Sequence, residues 1–130
     1  MRFLGTITFA LAVAYGGVPA LAGDAKMTGE DIRQALIGNK AQYTTPWGFA
    51  EAYRDPNGTI YVRNSKGERG RGTWSIDGDQ ICLKWTEKHY DWRTSDSCTT
   101  LTRINETTVE TDKGVEWSIS QGDPTKVKLD

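Results

Sequence analysis

The chain has 130 residues, 37% hydrophobic and 25% charged, with 16 lysines and arginines against 17 aspartates and glutamates. That length suits one small domain, and a net charge of −1 gives no general pull toward nucleic acid or anionic lipid. Two cysteines and one histidine leave little material for a metal centre, and no metal or other cofactor is expected.

The first residues read as a secretory leader. Arg2 supplies the positive n-region, and residues 3–15 are apolar apart from two threonines and a glycine. Gly16, Gly17 and Pro19 break that run, and Ala20-Leu21-Ala22 offers the small–x–small pattern of a cleavage site. The apolar run falls short of the roughly 20 residues that span a bilayer as a helix. Cleavage after Ala22 is expected, leaving a single domain over residues 23–130. Without Arg2 that domain carries 15 basic and 17 acidic residues. A periplasmic or secreted monomer with no transmembrane segment follows as the expectation. In an oxidising compartment Cys82 and Cys98 pair by default, and closing a loop of about 15 residues contributes roughly 3 kcal/mol.

One helix is signalled near the start of the mature chain. Thr28 and Asp31 make a capping box, and Glu30 adds negative charge to the first turn. Ile32, Ala35 and Leu36 recur at i, i+3 and i+4, and Gly38-Asn39 ends the pattern as a left-handed cap does. The spacing predicts a helix over 29–37 with one buried face.

Beyond Asn39 the period becomes that of strands. Runs at 41–45, 49–54, 59–63, 72–76, 80–85, 98–103, 107–111 and 115–120 are separated by turn residues such as Asp55-Pro56-Asn57-Gly58 and Asp77-Gly78-Asp79. A ninth run, 125–129, is a candidate to close the edge. Pro56 and Gly58 suit a type I turn closed by a G1 bulge. Trp74 and Ile76 share a face, as do Ile81, Leu83 and Trp85, and Val115, Trp117 and Ile119, with polar neighbours between them. One dry and one wet face per strand predicts a mainly β fold, an antiparallel meander of about eight strands. It closes into a small lipocalin-like barrel, with a two-sheet sandwich as the alternative, and the helix can plug one end. A hairpin register in which paired residue numbers sum to 180 sets Cys82 opposite Cys98.

Gly72-x-Trp74, Gly78-Asp79-x-x-Cys82 and the second cysteine at Cys98 resemble a family of small exported proteins of Gram-negative bacteria, catalogued only as a domain of unknown function. The helix ending in Gly38-Asn39 and the Asp55-Pro56-x-Gly58-Thr59-Ile60 turn are similar to it as well. The resemblance covers roughly residues 28–117. It implies residence in the envelope and carries over no functional residue. Gly72-Thr73-Trp74 also resembles the opening of lipocalin barrels, which supports the shape alone because about three strands precede it here.

Two segments stand out as candidate binding sites. The hairpin tip at 85–93 holds Trp85, His89, Tyr90, Trp92 and Arg93, residue types enriched at binding hot spots. It can act as a recognition loop or fold back as a lid. A glycine-rich loop carries Arg63, Lys66, Arg69 and Arg71, a set suited to phosphate or an acidic glycan without the spacing of a nucleotide loop. Catalytic readings are weaker: Ser95, Ser97, Asp91, Asp96 and His89 are crowded into nine residues, whereas triads converge from separate parts of a fold. Glu51 is a partly buried carboxylate with a raised pKa if its face lines the barrel. It is an exposed one if Ala50 and Ala52 point inward, which is the favoured reading. The function expected is a non-catalytic envelope binding module for a small apolar ligand, a glycan or a protein. The alternative is an interaction or inhibitor protein acting through the hairpin tip, and an enzyme is disfavoured.

Overall fold

The computed structural model describes residues 25–46, 48–88 and 96–128, without the side chains of Thr45, Glu87 and Lys88. The expected leader at 1–22 therefore lies outside the described residues. A two-residue strand, β1 (Ala25–Lys26), leads into helix α1 (Gly29–Leu36). The Thr28 hydroxyl accepts from the Asp31 amide, and the Asp31 carboxylate accepts from the Thr28 amide, so the capping box is complete. Ile37 is the C-cap, and Gly38 turns the chain at φ +81°, a conformation that costs a residue with a Cβ.

Eight strands follow: β2 (Asn39–Thr45), β3 (Gly48–Arg54), β4 (Thr59–Asn64), β5 (Arg69–Asp77), β6 (Gln80–Lys88), β7 (Ser97–Arg103), β8 (Thr108–Thr111) and β9 (Glu116–Gln121). Each pairs antiparallel with the next, and β9 pairs back onto β2, with Trp117 opposite Tyr43 and Ile119 opposite Ala41. The sheet is thus a closed up-and-down barrel, which rules out the two-sheet sandwich. β1 takes up the stretch of β7 at Thr102 and Arg103 that lies beyond the end of β6.

Paired residues of β6 and β7 sum to 180 along their register, and Cys82 is bonded to Cys98 with Cα atoms 4.0 Å apart. The Asp55 turn closes as its residues demand. The Gly58 amide donates to the Asp55 carbonyl, the Asp55 amide to that of Thr59, and Gly58 has φ +99°.

Helix α1 stoppers the barrel end at which β2 begins. Ile32 and Leu36 are wholly buried among Met27, Ala41, Ile81, Leu101 and Val109. The helix start is pinned to the β5–β6 turn: the Gly29 amide donates to Asp79 at 2.8 Å, and a Cβ on Gly29 would lie 2.3 Å from the Gly78 carbonyl oxygen. A second apolar group, Ala52, Ile60 and Val62, packs against Tyr43, Trp74, Leu83 and Trp85.

Two expectations are corrected. The run from Thr125 is no ninth strand. Gly122 at φ +68°, Pro124 and Lys126 at φ +55° turn residues 122–128 into a strap across the outside of the barrel. β9 closes the sheet instead. Val115 precedes β9 and is 38% exposed, so the inward alternation of that strand begins at Trp117.

Candidate ligand site inside the barrel

Strand alternation sends Ala50, Ala52 and Arg54 of β3 to the interior and Glu51 to the outside. Ala41 of β2 faces Ala52 across the ladder, and Ala52 faces Val62 of β4. One side of the interior is therefore walled by methyl groups. Farther round, Gly70 lies beneath the ring of Trp85, where a Cβ would come within 2.4 Å of the indole. A bulge between Arg71 and Gly72 lets β5 and β6 re-register at that point. Trp74 points its indole N–H to the Asp55 carbonyl at 2.7 Å, tying the interior to the β3–β4 turn.

The unusual interior group is Arg54. It ends β3 against the stopper, where its carbonyl accepts from the Gly38 amide at 2.7 Å. It is 5% exposed, and its guanidinium lies 5.0 Å from the centre of the Trp117 ring. Its Nε and Nη1 have no hydrogen-bond partner among the described residues. Burial lowers its pKa to about 10, against the opposing effect of Tyr43, so it stays cationic at neutral pH. Burial also raises the pKa of the Tyr43 phenol, with Arg54 pulling the other way, so Tyr43 remains a proton donor. Withdrawing a guanidinium from water costs several kcal/mol even after relaxation. A cation–π contact returns about 0.5–2 kcal/mol. The remainder falls on Nε and Nη1, the guanidinium nitrogens without a partner among the described residues.

The second buried charge cluster is outside the barrel wall and is fully paired. Lys40 and Glu51, 6% and 5% exposed, meet at 3.2 Å, and Arg63 binds the other Glu51 oxygen. Thr125 of the strap adds its hydroxyl at 3.2 Å from Glu51. Ala50 and Ala52 do point inward, yet Glu51 is not exposed, because the strap covers it. Burial by itself would raise its pKa, but Arg63 and Lys40 outweigh that and hold it below the usual carboxylate range.

The same strap occupies much of the basic loop. Arg63 reaches the Thr125 carbonyl at 3.0 Å and Arg69 that of Val127 at 2.9 Å. Val127 is wholly buried, and Lys128 pairs with Asp55 at 2.6 Å. Arg71 stacks on Tyr61. Lys66 sits in the exposed turn, its amide donating to the Asn64 side chain. Arg63 and Arg69 face each other across the β4–β5 ladder and Arg71 follows on β5, so these three share one outer patch on which the strap carbonyls already engage Arg63 and Arg69.

Of the hairpin-tip candidates, Trp85 turns its ring inward over Gly70, while its amide donates to Asp96 at 2.8 Å. His89, Tyr90, Trp92 and Arg93 lie outside the described residues, as do Asp91 and Ser95. Among the described residues no three His, Cys, Asp or Glu side chains gather in a metal-binding group. A cleft of about 260 Å³ between β1, α1 and Arg103 lies outside the barrel.

Comparison with protein-family models, curated proteins and solved structures finds no match to this chain. The site therefore rests on its own chemistry. Nothing in the sequence singled out Arg54. The available signal was its parity with Ala50 and Ala52, which sets a cation on the inward face just before the Asp55-Pro56 turn.

Proposed function

We propose that the chain is a non-catalytic binding module of the cell envelope that holds a small ligand in the barrel interior. The observation that carries this reading is Arg54, a buried cation inside a closed barrel with two guanidinium nitrogens lacking acceptors. Native proteins seldom leave such groups unpaired, and a ligand acceptor is the economical remedy. A barrel of eight strands is the size at which the interior is either packed or holds one small ligand. Here Ala41, Ala50 and Ala52 are packed over by core side chains, but Tyr43, Trp74, Leu83, Trp85 and Trp117 on the inward faces are only half-buried, which favours the second. Envelope residence is supported by the secretory leader and by the Cys82–Cys98 bond, which persists in oxidising compartments.

Native mass spectrometry of the protein isolated from its host's envelope tests this. Bound mass that is released on denaturation is the expected result. A clean apo mass, together with a partner protein retained by the 85–93 hairpin, would overturn it in favour of the interaction reading.

A further inference from the structure

We infer that the outer groove filled by the strap, residues 122–128, is a peptide site that also takes the strap of a second copy of this chain, so that two barrels join by exchanging straps. The site lies on the outside of the wall and is independent of the ligand proposed for the interior.

The strap is held the way a bound peptide is held. Arg63 and Arg69 clamp two of its main-chain carbonyls, those of Thr125 and Val127, at 3.0 and 2.9 Å. One apolar side chain, Val127, is wholly buried, while Pro124, Thr125 and Lys126 stay exposed. The Thr125 hydroxyl donates to Glu51, and the Lys128 ammonium sits on Asp55. Main-chain clamps hold any chain of suitable shape, and the seats for Val127 and Lys128 select a small apolar residue followed by a cation.

The strap is joined to its own barrel through a hinge. Closure of the sheet is complete before it starts, since the last ladder pair is Gln121 with Asn39. Gly122 follows at φ +68° and meets Asn39 in one isolated bridge, and no further strand pairing involves the strap among the described residues. Release therefore breaks no ladder. The strap also brings its own turn: the Asp123 carboxylate accepts from the Val127 and Lys128 amides at 2.8 and 2.9 Å, and the Asp123 carbonyl from the Lys126 amide. A segment already turned loses less freedom on docking, which lowers the cost of binding to another molecule.

A second copy fits this groove because its strap carries the same residues in the same order. Exchange of an identical element keeps every contact and is a low-cost route to a dimer. Phe49, 41% exposed, lies two residues before Glu51 on the same outward face of β3, so it offers an apolar contact beside the seam. At low concentration the chain's own strap prevails, because a short tether holds it at an effective concentration of about millimolar order.

The test starts from Val127→Asp in the mature protein, which sets a carboxylate at a wholly buried position and frees the strap from its groove. A labelled peptide of residues 122–128, capped at both ends, is titrated against it by fluorescence anisotropy. One-to-one binding is expected, at least about ten-fold tighter than to the parent protein, whose tethered strap competes. The same peptide carrying Val127→Asp should not bind, and Arg69→Ala added to the protein should weaken binding. Lys128→Glu, which opposes Asp55 with a like charge, frees the strap by a milder route and should behave as Val127→Asp does. In the ultracentrifuge, Val127→Asp protein with its vacant groove is then mixed with Arg69→Ala protein, whose strap has lost a clamp. A dimer should form in the mixture and in neither component alone.

No peptide binding to either strap variant would overturn the site. Binding equally tight to the parent protein, or indifferent to Val127→Asp in the peptide, would place the peptide elsewhere and overturn it as well. A mixture that stays monomeric would overturn the second copy as the occupant.

Discussion

Glu51→Gln replaces the carboxylate beneath the strap with an amide of nearly the same shape. The ammonium of Lys40, 6% exposed, then loses its counter-charge, while Arg63, whose side chain is 24% exposed, can turn toward water. Removing one partner of a buried pair costs roughly 3–5 kcal/mol. The exit open to Arg63 sets the expectation at the lower end, about 3 kcal/mol. In a domain of about 100 residues each kcal/mol moves the melting temperature by about 4–8 °C, so a fall of about 12–24 °C is expected. Circular dichroism melts and urea titrations at pH 7 measure it. The double variant Lys40→Met with Glu51→Leu removes both charges and should recover most of the loss, because a well-packed apolar pair serves about as well as the ion pair. A loss below about 1 kcal/mol for Glu51→Gln would refute the idea that this carboxylate holds the strap and wall together. A double variant no better than the single would do the same.

The pH dependence follows from the same residues. Side-chain hydrogen bonding from Lys128, helped by the Asn57 amide, lowers the pKa of Asp55, and Glu51 is lowered as well. Both folded values lie below their unfolded ones, so their contribution is full above the ordinary carboxylate range near pH 4 and fades as pH falls through the folded values. Urea midpoints should stay level from neutral pH down to about 5 and then drop, and Glu51→Gln should shallow that drop. An acid limb unchanged in the variant would count against the assignment. Replacing both Cys82 and Cys98 by serine releases a 16-residue separation and should cost roughly 3 kcal/mol in urea titrations. Gly70→Ala drives a methyl into the Trp85 ring and should cost about 1–3 kcal/mol with a change in tryptophan fluorescence. An unaltered spectrum and midpoint would mean that the ring does not rest on Gly70.

Nearest-neighbour chemistry made α1 legible: Thr28, Asp31 and Gly38 act within one turn of the backbone they cap. The same holds for the Asp55 turn and for the β6–β7 register that brings Cys82 to Cys98. A period of two residues also exposed the inner faces of β5, β6 and β9, and with them the barrel. Strand parity could not say what lies on the far side of an outward face. Glu51 reads as solvated from its neighbours, and it is buried because residues 122–128, more than 70 positions away, cross over it. Arg63 and Arg69 look like a basic loop in sequence, yet they bind carbonyls of that strap. Arg54 is the same case seen from inside. Its parity is local, but its isolation depends on which of eight strands bring carboxylates inward, and closure of the barrel by β9 on β2 decides that. Local sequence set the strands, turns and cap through short-range sterics and hydrogen bonds. Burial, charge pairing and the unmatched cation in the interior arise only when distant segments enclose a common volume from which water is withdrawn.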